Sequence, residues 1–139
     1  MPDMNAATTY RTLLAWAASA LAADYNPDGL ATRQALLLAA HAGIHSADGA
    51  GVDWDLFTVA ITQAVQDLQS DLGDPVILIA GVPGPGPDSI ELRREVADLV
   101  RRLADRYATA AAGDNGSPWR RLTWAQVAHR LDDAVAELT

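Results

Sequence analysis

The sequence predicts an all-α fold, a single-domain bundle of about five helices with an extended Pro/Gly-rich crossover between helices three and four. Three observations carry that prediction. Apolar residues recur at helical spacing in separate stretches along the 139 residues. Alanine makes up about a fifth of the chain and lowers the cost of helix. The one stretch without helical spacing is broken by alternating prolines and glycines. A chain of this length, half of it hydrophobic, buries roughly 70% of its unfolded surface. One domain, 1–139, is therefore expected.

The first helix is expected over about 5–23, opened by Asn5 or Thr8, with Tyr10, Leu13, Leu14, Ala17, Ala20 and Leu21 on one stripe. Asn26-Pro27-Asp28 then restarts the chain. Asn26 suits an N-cap and Pro27 the first helical position, where a missing N–H costs nothing, so the second helix runs over about 27–47 and stops before Gly49 and Gly51. Asp53 caps the third, about 53–72, whose stripe is Trp54, Phe57, Ile61, Ala64, Val65, Leu68 and Leu72. Gly73-Asp74-Pro75 ends it.

The linker 73–87 holds VILIA, Val76 to Ala80, and then Pro83, Pro85 and Pro87 alternating with glycines, so no helix continues there. An extended crossover is expected, with Val76, Ile77, Leu78 and Ile79 pinned onto the bundle; an exposed docking arm is the alternative. The run lacks the PxxP spacing and flanking basic residues of an SH3 ligand. Asp88 with Glu91 suggests a cap pair for the fourth helix, about 88–112, whose buried stripe is Leu92, Val96, Leu99, Leu103 and Tyr107. Its other face alternates in sign, with i,i+4 pairs such as Arg94 with Asp98 and Asp98 with Arg102. After a loop at Gly113-Asp114-Asn115-Gly116, Ser117-Pro118 is expected to cap a short turn leading into the last helix, about 118–138. Thr123 to Gln126 has the form of a capping box, and Trp124, Val127, Leu131, Val135 and Leu138 face inward.

Charge is segregated along the chain. Residues 1–88 hold ten aspartates against Arg11 and Arg33, and residues 89–139 hold eight acids against eight arginines, so the net charge of -8 lies wholly in the first part. Nucleic-acid binders need the opposite sign to neutralise phosphates, and direct binding of DNA or RNA is not expected. All ten basic residues are arginine, which suggests a GC-rich bacterial genome. Cysteine is absent, which excludes disulfides and thiolate metal sites. No apolar run reaches the length of a membrane span, and MPDMNAATTY lacks the basic patch and apolar run of a signal peptide, so a soluble cytoplasmic protein without membrane partners is expected.

One constellation suggests chemistry. His41 and His45 stand one helical turn apart, Asp48 lies a turn further, and Asp53 and Asp55 can return from the following loop. On a helical wheel Leu30, Leu37, His41, Ile44 and Asp48 cluster, which points His41 inward. Imidazoles at i,i+4 can hold one metal with a carboxylate, so His41, His45 and Asp48 are candidate ligands for zinc, iron or manganese. Each residue also has a structural explanation: a core histidine, a cation near a helix C-terminus, and a loop-forming aspartate. No cofactor is called for otherwise: there is no phosphate loop and no G-x-S-x-G nucleophile elbow.

The segment NPDGLATRQALLLAAHAGIHSAD, Asn26 to Asp48, resembles the second helix of HEPN-type helical domains, which are often ribonucleases or partners of nucleotidyltransferases. That resemblance implies an Arg and a His four to six residues apart as the catalytic pair. Here seven residues separate Arg33 from His41 and Arg121 from His129, so the roles are not transferred. RLTWAQVAHRLDD, Arg121 to Asp133, is similar to the first helix of a helix-turn-helix reader but lacks the glycine turn and the recognition helix.

The expected function is a non-catalytic interaction or oligomerisation module, pairing with a protein partner or with itself as a homodimer. Candidate interface residues are Trp16 and Trp119, which lie off the cleanest apolar stripes, and Val76, Ile77 and Ile79 of the linker. Two alternatives stay open. One is a HEPN-like nuclease or metal-dependent enzyme built on His41, His45 and Asp48; the other is an acidic decoy that occupies a nucleic-acid-binding partner.

Overall fold

The structure, a computed structural model, describes residues 9–45, 52–72, 82–86 and 88–139. Among these the chain is all helical, with five helices and no strand: α1 Tyr10–Ala23, α2 Leu30–Ile44, α3 Val52–Leu72, α4 Ile90–Ala112 and α5 Pro118–Leu138. The expected openings at Asn5 and Thr8, most of the linker, and Asp48 lie outside the described residues. No helix among them is long and apolar enough to cross a membrane.

Side-chain contacts set the direction of each helix. Tyr10 at the start of α1 stacks on His41 near the end of α2, and a Cβ on Gly43 would run into Phe57 and Thr58 near the start of α3. Both pairs are therefore antiparallel. Arg93, in the first turn of α4, reaches Asp53 in the first turn of α3 at 3.1 Å, so α3 and α4 begin at one end and run parallel. Asp71, in the last turn of α3, meets Arg120 in the first turn of α5, which sets α5 antiparallel to both. A helix of 21 residues rises roughly 30 Å, and the chain between Leu72 and Ile90 has to return over that length. Of the residues between them, the described ones, 82–86 and 88–89, are non-helical.

The core lies where α5 packs between α3 and α4. Phe57, Ile61, Val96, Val100, Leu103, Tyr107, Val127 and Leu131 are fully buried there, each worth about 1.5–3 kcal/mol in transfer from water. The stripes expected on α4 and α5 are buried throughout, and on α3 Val65 alone of the described positions is only half-buried. α2 packs against α1, α3 and α4. α1 completes the fold by laying Leu13, Leu14, Ala17 and Leu21 onto α2 and α4.

Three helix starts differ from expectation, each because a turn or a better-placed hydroxyl competes. Asn26 does not cap α2. Its side-chain oxygen accepts from the N–H of Asp28 at 3.0 Å while its carbonyl takes Gly29 N–H and the Thr32 hydroxyl. Asn-Pro-Asp-Gly thus closes a turn, and the helix begins behind Gly29 with Leu30. At α4, Ser89 is the cap, accepting from Leu92 N–H at 3.0 Å, which frees Asp88 to grip Arg93. At α5, Ser117 and Pro118 open the helix; Thr123 sits inside it and returns its hydroxyl to the Trp119 carbonyl. On the surface of α4, Asp98 pairs with Arg101 at i,i+3. α2 also turns a different face inward than the wheel suggested. Leu30 and Ile44 are exposed, whereas Ala35, Leu36, Leu38, Ala39, Ala40, Ala42 and Gly43 are buried.

Two arginine knots fasten the ends. At the start of α3 and α4, Arg93 holds Asp88 through two bonds of 3.0 and 2.9 Å, reaches Asp53, and lies 5.8 Å from the centre of the Trp54 ring. At the opposite end Arg120 binds Asp28 and Asp71 with separate nitrogens and lies 5.3 Å from the Trp124 ring. The Trp124 N–H donates to Asp28 at 3.1 Å and the Trp119 N–H to Asp71 at 2.6 Å.

Removing Arg120 leaves two half-buried carboxylates facing each other, so Arg120→Ala is expected to cost about 2–3 kcal/mol in urea unfolding, below the value for a fully buried pair because solvent reaches the edge of this one. The exposed Arg101→Ala should stay within about 0.5 kcal/mol. Gly43→Val, which forces a branched side chain against Phe57 and Thr58, should destabilise by about 1–3 kcal/mol in the same assay.

Candidate functional site

α2 brings the two sequence-flagged histidines together near its C-terminus. The His41 and His45 rings lie 4.3 Å apart, tilted by 42°. His41 is half-buried, stacks on Tyr10 at 6.0 Å, and sets its Nε2 3.1 Å from the Pro83 carbonyl oxygen. In the neutral ring that contact calls for the Nε2–H tautomer, with Nε2 donating. Burial first, and His45 second, hold its pKa below the ordinary 6.5, while the Pro83 bond opposes them. The Tyr10 hydroxyl donates to the Leu38 carbonyl at 2.5 Å, and burial raises its pKa far above the usual tyrosine range. His41 thereby ties α1, α2 and the crossover into one contact.

Asp48 lies outside the described residues. Among the described residues no three His, Cys, Asp or Glu side chains gather as a metal-holding group. The pair offers two imidazoles, and the Nε2 of His41 is engaged by a carbonyl. Each Arg–His pair weighed above sits on a single helix eight positions apart, about 12 Å along the axis, so neither converges on one point. His129 points to solvent beside Asp133 at 3.8 Å.

The candidate interface residues do not converge as a set. Trp16 is partly exposed on α1 and Trp119 is exposed at the start of α5, on helices that do not pack against each other. Val76, Ile77 and Ile79 lie outside the described residues. Other large apolar side chains that sequence periodicity does not flag are exposed toward the same end as Trp119. Tyr25, Leu30 and Leu122 join it at the end of the bundle held by Arg120, and the four are 61–76% exposed. Leu30 escaped notice because it was placed on a buried stripe. With the Trp119 N–H fixed on Asp71, its ring is presented in a set orientation.

At the same end a cleft of about 610 Å³ opens between α1 and α4. It exists because α1 stops at Ala23 while α4 continues to Ala112. Ala18, Leu21, Ala22 and Ala110 form its apolar walls, with Trp124 at one end. Arg106 stands at its edge, donating to the Leu21 and Asp24 carbonyls and lying 5.1 Å from the Tyr25 ring. Gly116, at φ +91°, leaves room for the Trp124 ring, which a Cβ there would strike.

Comparison with protein-family models, curated proteins and solved structures finds no match to this chain.

The lowered pKa of His41 fixes a sign. A group that titrates lower when folded stabilises the fold fully above its unfolded value, and that contribution is lost as pH falls through the folded value. Urea-unfolding stability of the wild type should therefore fall as pH drops below about 6.5 while carboxylates stay ionised. His41→Gln, which keeps a donor toward Pro83, should flatten that slope between about pH 7.5 and pH 5.

Proposed function

We propose that this chain is a non-catalytic protein-interaction module of a bacterial cytoplasmic protein, docking through the end of the bundle where α2 and α5 begin. One observation carries the proposal: Tyr25, Leu30, Trp119 and Leu122 stand exposed at one end around a framework stiffened by Arg120, Asp28 and Asp71. Folded monomers seldom leave several large apolar side chains together in water unless something covers them. Tryptophan and tyrosine dominate binding hot spots, and an indole already fixed by a hydrogen bond loses little further freedom on docking. A second copy of the chain is the proposed partner, because an apolar patch on a two-fold axis complements itself.

The decoy alternative has less in its favour. Asp28, Asp53, Asp67, Asp71 and Asp88 are each paired with an arginine of the second part, so much of the segregated acidity is neutralised within the molecule. An enzyme built on His41 and His45 has two imidazoles to work with and no third metal-ligating side chain beside them among the described residues.

Sedimentation velocity tests the proposal. The wild type should dimerise, and Trp119→Asp with Leu122→Asp should raise the dissociation constant at least about tenfold, roughly 1.4 kcal/mol, with an unchanged helical circular-dichroism spectrum. A wild type that stays monomeric at every concentration, and that captures no protein through a photo-crosslinker placed at Leu122, would sink it.

A further inference from the structure

The cleft between α1 and α4 is a second feature of the docking end, and its chemistry differs from that of the apolar patch. Its volume of about 610 Å³ falls in the range of small-molecule sites, roughly 300–1,000 Å³. Its walls are alanines and Leu21, which offer apolar surface without filling the space. Charge enters at defined places: Arg102 and Arg106 from one face of α4, with Asp105 as the lining acid. The cleft thus carries two arginines against one acid, and Asp98, one turn before Arg102, lines the adjoining hollow with it. Arg106 is committed to the Leu21 and Asp24 carbonyls and to Tyr25. Arg102 is exposed, and its guanidinium is the cation left to meet a ligand.

The shape is elongated. Arg102 and Gly113, the C-cap of α4, both line the cleft, and their eleven-position separation spans about 16 Å along the helix. Trp124, whose ring lies beside Gly116, lines the cleft toward the Gly113 side. A smaller hollow of about 190 Å³ shares Ala18 and Arg102 with the cleft and reaches Arg11 and Glu95, so the trough continues beyond the cation.

We propose that this cleft binds a medium-chain monocarboxylate, its headgroup at Arg102 and its acyl chain lying along the alanine wall toward Trp124. The cleft shares Tyr25 with the proposed docking end, whereas Trp119 and Leu122 do not line it, so variants at those two positions separate the two readings. A single anion matches the single available guanidinium, and an unbranched chain matches a narrow wall of small residues.

Titration of the full chain with decanoate, kept well below its micelle-forming concentration, tests this by calorimetry and by the NMR shift of the Trp124 indole N–H. Saturable binding is expected, with that resonance moving. Arg102→Ala should weaken binding about tenfold through loss of a charge-assisted hydrogen bond, and decanol should bind more weakly than decanoate by a similar factor. Ala22→Trp, at an exposed wall position, should abolish binding by filling the cleft while leaving the helical spectrum intact. Trp119→Asp should leave it unchanged. Absence of saturable binding, or decanoate binding that survives both Arg102→Ala and Ala22→Trp, would overturn the proposal; equal affinity for decanol would remove the role given to Arg102.

Discussion

Arg120 is the contact on which the arrangement of the bundle turns. It reaches Asp28 before α2 and Asp71 at the end of α3 from the first turn of α5, joining three elements that the chain delivers far apart in sequence. A guanidinium suits that task because its planar fork presents several donors at once, where an ammonium would offer a point charge. Trp124 stacks beneath it and shares Asp28, so the cation, the carboxylate and the ring fix one another. With the start of α5 placed over the end of α3, the remaining turns of α5 follow into the space between α3 and α4.

The parallel course of α3 and α4 is the second constraint, and it accounts for the proline-rich segment. Two parallel neighbours cannot be joined by a short loop, and the sequence between them sets prolines alternating with glycines, which oppose a further helix. His41 meets the returning chain at the Pro83 carbonyl, which places residues 82–86 beside the end of α2. The imidazole pair thereby acquires a packing role: one ring is held between Tyr10, His45 and the crossover.

Function, as proposed, concentrates at the opposite end from the histidines. The Arg120 knot, the exposed aromatics and the alanine-walled cleft all lie where α1 stops short of α4. Stiffness and exposure come from the same place. Because the knot removes freedom from the first turn of α5, an apolar side chain such as Trp119 can stand in water in a set orientation.

The five helices, and the buried stripes of α1, α3, α4 and α5, were legible in the sequence. Val96, Leu99, Leu103 and Tyr107 on α4, and Val127, Leu131 and Val135 on α5, each repeat a local period that holds whatever the partner helix is. Which face α2 buries was not legible. A wheel favours the leucines and His41, but α2 packs against three helices, and its alanines and Gly43 are what let those neighbours approach. The turn at Asn26 to Gly29 was mistaken for a cap, since asparagine serves both roles and only the chain's onward path selects one. The Arg120 knot, the exposed end and the cleft were beyond sequence patterning altogether. They depend on residues as far apart as Asp28 and Arg120, or Ala22 and Trp124, and no local period records a meeting that arises only when helices of unequal length are laid side by side. Periodicity determined what each segment becomes, because helix formation and burial of one face are local; the tertiary structure decided where charges meet and where surface stays open, because those depend on neighbours the local sequence does not name.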